Sequence, residues 1–324
     1  MPMLSLFVYE KDKGFQKRED LSRISDIIAD PSSILWLDAL DPSREEMDLL
    51  AGEFGFHPLA IEDYFTPHRR PKIDEYEGYF FMAVQSISFS PKTLDIKPLE
   101  VDLFVGRNYI VTLHKSRQPI LEKVADTWQK NPKMVEPGIG MLLYDILDGF
   151  MDSYFPVLDQ IDEQLDKIED SIFKQKGDDS AERIFRMKRS LLVLRRIATP
   201  LRDVFNILTR REQPLLSEQA TLYLRDVYDH VLRIVDTIDT YRDILAGALD
   251  SYLTVISNRL NSVMKVLTVV ATILISMQVV SGIYGMNFKY MPELHWHYGY
   301  FATLGLMVVI SLGLLYYFKR IKWL

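Results

Sequence analysis

Between positions 266 and 288 the chain carries no Asp, Glu, Lys or Arg, yet it keeps polar and small side chains at helical spacing. Asn261, Met264, Thr268, Ala271, Ile275, Gln278 and Gly282 follow one another alternately three and four residues apart, so they share one helical stripe. Such a stripe serves either helix–helix packing or a surface turned to water. An amide is costly in hydrocarbon, and Gln278 therefore favours the wet surface. Just beyond stands Tyr284-Gly285-Met286-Asn287-Phe288, whose Gly-x-Asn is unspecific by itself. A second group of chemically capable residues is acidic. Asp229, Asp236, Asp243 and Asp250 recur every seven residues, and Asp159, Asp162, Glu163, Asp166, Glu169 and Asp170 crowd one helical segment. They suit solvated faces and ion pairs, or attraction of divalent cations. His295 and His297 suit either an interface or a site for Zn²⁺, Co²⁺ or Ni²⁺.

Other chemistries drop out. There is no Cys, hence no disulfide framework, thiolate zinc site or Cys nucleophile. The six histidines are scattered, and neither a Gly-rich phosphate loop nor a nucleophile elbow occurs, so an enzyme is not expected. Lys and Arg number 38 against 45 Asp and Glu, and the net charge of −7 argues against a nucleic-acid surface.

The charge is unevenly placed. After Lys265 come four bases and one acid, so the first 265 residues carry −10 and the rest +3. The uncharged runs 266–288 and 294–318 each exceed the roughly 20 residues that cross a bilayer as helix. Arg259 and Lys265 precede the first run, and Lys319, Arg320 and Lys322 follow the second. The positive-inside rule then puts both termini in the cytoplasm, with a short outer loop over about residues 288–298. Tyr284, Tyr290, Trp296, Tyr298, Tyr300, Tyr316, Tyr317 and Trp323 form the interfacial belts. No signal peptide is read at the N-terminus.

The acidic part reads as an α+β (α/β-like) domain over 1–135, a helical pair over 136–216 and a stalk helix continuing into the first span over 217–288. The loop over 289–298 and the second span with a basic tail over 299–324 complete the chain. Strands are expected at 4–9, 34–37, 79–90 and 101–114, the last holding a hairpin at Gly106-Arg107-Asn108. Ser43-Arg44-Glu45-Glu46 is a capping box. The domain boundary is placed near Pro132 and Pro137. Helices at about 140–174 and beyond Ser180 should be kinked or interrupted at Pro156 and Pro200 and pair through opposite charge. Leu224, Val227, Val231, Ile234, Ile238, Tyr241, Leu245, Ala248, Tyr252 and Val255 form a heptad seam. No breaker separates the seam from the first span, so one helix of residues 217–284 is expected, on the order of 100 Å long at about 1.5 Å per residue. Two spans cannot enclose a path, and a pore needs several copies.

Gly285-Met286-Asn287 at the outer end of the first of two C-terminal spans, before a loop with Met291-Pro292-Glu293-Leu294, resembles the signature of the CorA family of magnesium and cobalt transport proteins. The likeness covers nearly the whole chain and is densest from Arg225 onward. It implies a homopentameric funnel in the cell membrane, with the first span lining the pore. Asn287 would offer its amide oxygen in a ring at the outer mouth, with Gly285 and Met286 shaping the turn. Met264 and Leu267 match the family's hydrophobic constriction, Asn261 the polar ring below it, and Gln278 and Gly282 the upper pore. Asp63 and Asp226 match positions that bind regulatory Mg²⁺ between subunits, and Glu62 and Asp148 a second such site. Transported ions would be Mg²⁺, and also Co²⁺ and Ni²⁺. The alternatives are a zinc-transporting relative, disfavoured by Met286, and a membrane-anchored coiled-coil scaffold.

Overall fold

The computed structural model describes residues 3–11, 13–18, 24–66, 70–131, 138–173, 179–210 and 215–323. The expected boundary at Pro132 and Pro137, and residues 176–178 of the expected break before Ser180, lie outside them. The chain divides into two compact units, 1–248 and 249–324.

The first unit holds a seven-stranded sheet in the order β2-β1-β3-β7-β6-β5-β4. The strands are β1 Met3–Glu10, β2 Gly14–Arg18, β3 Ile34–Leu40, β4 Lys72–Tyr76, β5 Tyr79–Ser90, β6 Asp95–Gly106 and β7 Tyr109–His114. All neighbours are antiparallel except β3 and β7, which run parallel. The hairpin expected at Gly106 joins β6 to β7. Alternation along each strand feeds two cores. Leu6, Val8, Leu35, Leu37, Phe81, Phe104 and Val111 face helices α1 Ile24–Ala29, α2 Arg44–Phe54 and α3 Pro58–Phe65. On the other side Phe7 stacks against Phe15 and meets Trp36, and Phe15 meets Trp128 of α4 Pro119–Lys130.

Local chemistry fixes the helices that carry the candidate carboxylates. The capping box is formed: Glu46 N–H donates to Ser43 Oγ at 3.2 Å, and Ser43 N–H to Glu46 Oε2 at 2.7 Å. Gly55 then ends α2 at φ 69°, in the left-handed region that favours glycine. Pro58 opens α3, whose Ala60, Ile61 and Tyr64 are buried, leaving Glu62 exposed and Asp63 half-buried.

On the far face of the sheet one acceptor gathers two side chains, and a third joins them through Thr112. Thr112 Oγ1 donates to Asp38 Oδ1 at 2.5 Å, Trp36 Nε1 donates to Thr112 Oγ1 at 3.0 Å, and His114 Nε2 lies 3.0 Å from the same Asp38 oxygen. His114 Nδ1 lies 2.8 Å from the Ser116 carbonyl. Both partners of the imidazole are acceptors, so only the imidazolium satisfies both. Burial opposes that charge, but the hydrogen bond and charge of Asp38 outweigh it and raise the His114 pKa. A raised folded-state value gives stability that is complete below the unfolded pKa of about 6.5 and lost as pH rises through the folded one. Melting of the detergent-solubilised protein is expected to weaken through that window by about 1–3 kcal/mol. His114→Gln should flatten the profile there; a flat wild-type profile would contradict the imidazolium.

The helical part opens with α5 Ile139–Asp152 and α6 Tyr154–Phe173, one expected helix cut at Ser153. Pro156 supplies the reason: it has no N–H for the Asp152 carbonyl and its ring crowds that turn. Pro200 does not interrupt α7 Ser180–Arg210, whose Ile197, Ala198, Leu201 and Val204 are buried on both sides of it. The single helix expected from about residue 217 is observed as α8 Glu218–Tyr284. Its seam from Leu224 to Ala248 is buried within this unit, so the chain's own helices, not further copies, cover it there. A Cβ on Gly140 of α5 would lie 2.4 Å from the Ala220 Cβ of α8, so glycine is needed for that approach. The charge pairing between helices is rearranged: Arg195 of α7 meets Asp239 of α8 at 3.2 Å, and Arg186 pairs with Glu182 in its own helix. Asp229, Asp236, Asp243 and Asp250 are exposed.

The second unit comprises the rest of α8, a 3₁₀ turn Pro292–His295 and α9 Gly299–Arg320. Both helices are long and apolar enough to cross a membrane.

Candidate functional site

Residues 249–284 of α8 bury little. Val269 is buried and Thr272, Ile273, Ser276, Met277 and Val280 are half-buried, which marks one side. On the other side Asn261, Met264, Leu267, Thr268, Ile275, Gln278 and Gly282 are exposed, and Ala271 is half-buried. Met264 and Leu267 expose 58% and 59% of their surface, too much for the core helix of a soluble protein.

Polar satisfaction separates the residues on this helix. Thr268, Thr272 and Ser276 donate to the carbonyl four residues back at 2.7–2.8 Å, as do Thr303 and Ser311 of α9 at 3.0 and 2.8 Å. These hydroxyls need nothing further in lipid. The amides of Asn261, Gln278 and Asn287 make no side-chain hydrogen bond among the described residues. They require water or another chain.

Helix α8 closes where Gly285 N–H donates to Ser281 O at 3.0 Å and Met286 N–H to Ile283 O at 3.3 Å. Asn287 follows on irregular, exposed backbone. A Cβ on Gly285 would come no closer than 3.4 Å to Ser281 O, and one on Gly282 would meet open space. A single chain therefore has room for a side chain at both glycines.

The four carboxylates singled out from the sequence fall into two groups. Asp63 accepts from Lys72 Nζ at 2.5 Å, and the same ammonium lies 2.8 Å from Asp74 Oδ2 and 5.2 Å from the Phe81 ring centroid. Glu62 is its exposed neighbour on α3. Asp148 of α5 stands across from α8, where its Oδ1 lies 3.3 Å from His230 Nδ1 without forming a hydrogen bond. Asp152 Oδ1 is 3.9 Å from the same nitrogen. One ligand atom from each of Asp148, Asp152 and His230 lies within 4.8 Å of the others, a donor set that fits a divalent cation. Burial, then the charge of Asp152, pushes the Asp148 carboxyl above its ordinary value; His230 opposes this, and Asp226 adds to it. The cluster borders a cavity of about 370 Å³ lined in part by Trp128 and Asp145. Asp226, one turn before His230, thus belongs with Asp148, whereas Glu62 and Asp63 lie on α3. Asp152 and His230 carried no signal in the sequence beyond a possible i+4 relation to Asp148 and Asp226.

An α/β unit joined by one long helix to an uncovered apolar helix pair defines a membrane protein with a large soluble domain. Residues 31–320 match the family model for CorA-like Mg²⁺ transporter protein, and the chain belongs to that family. It is 36% identical to the cobalt/magnesium transport protein CorA of Thermotoga maritima over 91% of this chain and 85% of that one. It is 38% identical to the putative metal ion transporter YfjQ of Bacillus subtilis over 89% of each. The complete structure of the CorA magnesium transporter from Methanocaldococcus jannaschii superposes with a TM-score of 0.84 at 24% identity, over 98% of each chain, and has the same fold. The family is one of transporters, not enzymes.

Proposed function

We propose that the chain assembles as a homopentamer in the cell membrane and conducts divalent cations, Mg²⁺ and also Co²⁺ and Ni²⁺. The observation that carries this is the exposed stripe on α8, with its unpartnered amides of Asn261, Gln278 and Asn287. Five such stripes about an axis would enclose water, which satisfies the amides. A scaffold that moves no ion would have to satisfy the Gln278 amide by pairing across a helix–helix contact instead. The basic residues flanking the spans support a cytoplasmic location for both termini.

The chemistry of the ring suits Mg²⁺, which sheds its waters reluctantly. Asn287 amide oxygens accept hydrogen bonds from those waters and pass the hydrated ion, whereas carboxylates would hold it longer. Met264 and Leu267 close the path by dewetting. In the cytoplasmic region Asp63 and Asp226 of adjoining subunits face each other, and Asp148 pairs with Glu62 in the same way, with Asp152 and His230 beside it. A bound cation bridges carboxylates of adjoining subunits, taking the place of Lys72 beside Asp63. Without it they repel and the ring loosens.

The absence of Cys gives a direct test, because a single introduced thiol has no background. Gln278→Cys in liposomes should react with a charged, water-borne thiol reagent, and Val309→Cys on α9, 67% exposed, should not. Labelling of Val309→Cys but not of Gln278→Cys would reverse the assigned faces. Native mass spectrometry should find five copies.

A further inference from the structure

His295 and His297 have no part in the reading above. The 3₁₀ turn Pro292–His295 and the turn after it place both histidines on the wall of one open cavity of about 710 Å³, shared with Ser281, Tyr284, Trp296 and Tyr300. Both histidines are exposed, so neither is held there as core. His295 Nδ1 lies 3.3 Å from the Met291 carbonyl oxygen. A carbonyl only accepts, so in the neutral ring Nδ1 bears the hydrogen and Nε2 carries the lone pair. One nitrogen anchored on a backbone carbonyl and the other left open is the arrangement of a metal-ligating histidine. His297 makes no hydrogen bond among the described residues, and its ring packs edge-on to Tyr298 with 5.1 Å between centroids. The described cavity wall includes no carboxylate, ammonium or guanidinium. A hard cation therefore finds little to hold it, and a softer one meets no resident positive charge.

We propose that His295 and His297 form a binding site for borderline divalent cations, Ni²⁺, Co²⁺ and Zn²⁺, with water completing the coordination shell. Imidazole nitrogen favours these ions over Mg²⁺, and Ni²⁺ over Co²⁺. The connection between the spans then carries two devices of opposite preference: the amide of Asn287 for a hydrated hard ion, and an imidazole pair for ions that exchange water for nitrogen. The site stands whether or not the chain conducts.

The test uses the full chain in detergent and Ni²⁺ as the probe, counted by equilibrium dialysis. Wild type should bind one more Ni²⁺ per protomer than the double variant His295→Gln with His297→Gln, and His297→Gln alone should weaken that ion about tenfold or more. His230→Gln removes the imidazole of the other cluster and should leave this ion in place. In that variant the X-ray absorption spectrum of bound Ni²⁺ should show imidazole ligation that the added loop substitutions abolish. About a hundredfold excess of Mg²⁺ should not displace it. Equal Ni²⁺ binding by wild type and the double variant, or displacement by equimolar Mg²⁺, would overturn the assignment. Both side chains are exposed, and retained helicity and oligomeric state of the variants exclude misfolding as the cause of a loss.

Discussion

Asn287→Ala is expected to lower Mg²⁺ uptake into liposomes by about two orders of magnitude or more, with the protein still inserted and pentameric. The substitution removes an exposed amide that has no partner in the described chain and supports no helix, so its loss should leave the fold alone. In the proposed pentamer the substitution would remove a ring of acceptors for the waters of the ion, and with it the compensation for confining a hydrated cation in a narrow mouth. Asn287→Asp sharpens the test. Carboxylates attract the ion more strongly and release it more slowly, so apparent affinity should rise while maximal flux falls. Uptake by Asn287→Ala at the wild-type rate would remove Asn287 from the ion path.

Lys72→Met is expected to lower the Mg²⁺ concentration that gives half-maximal protease protection by about three- to tenfold. In the structure Lys72 holds the Asp63 carboxylate at 2.5 Å, steadied by Asp74 and by the face of Phe81. On the proposed mechanism a regulatory cation would have to displace this tethered ammonium. The pair is partly exposed, with 30% and 25% of the two side chains open to solvent, which limits the contact to about 1 kcal/mol. Asp226→Lys makes the complementary prediction. A lysine at this exposed site on α8 would supply, in the proposed pentamer, a permanent positive charge opposite Asp63 of the adjoining subunit, and protease resistance should become independent of Mg²⁺. Retained Mg²⁺ protection in Asp226→Lys would dissolve the intersubunit site. Mg²⁺-independent resistance in Asp226→Lys with no change in Lys72→Met would spare the site and dismiss only the competition.

Periodicity made the helices legible. The seam from Leu224 to Ala248 and the stripe from Asn261 to Gly282 are both spacing patterns on α8, and the structure buries the first and exposes the second. The capping box of α2 and the hairpin at Gly106 were equally visible, because turn and cap chemistry is local. Strand β4 was not. It is a short edge strand of charged residues, Lys72–Tyr76, with no alternating apolar pattern, and its identity comes from pairing with β5. The Lys72–Asp63 contact was hidden for the same reason. Asp148 and His230 lie on different helices far apart in sequence, and their approach depends on packing of α5 against α8 at Gly140 and Ala220. Spacing on one helix ranks Asp226 no higher than Asp229 or Asp236; it is the neighbouring Asp148 cluster that sets Asp226 apart.

The most direct test of the central claim is uptake by the purified protein in liposomes of low internal Mg²⁺, read by an internal magnesium indicator, with Co²⁺, Ni²⁺ and Zn²⁺ offered as competitors. Mg²⁺ should enter, and Co²⁺ and Ni²⁺ should slow its entry more than Zn²⁺ does. Absence of Mg²⁺ entry from correctly inserted pentamers would contradict the account and leave a membrane-anchored scaffold.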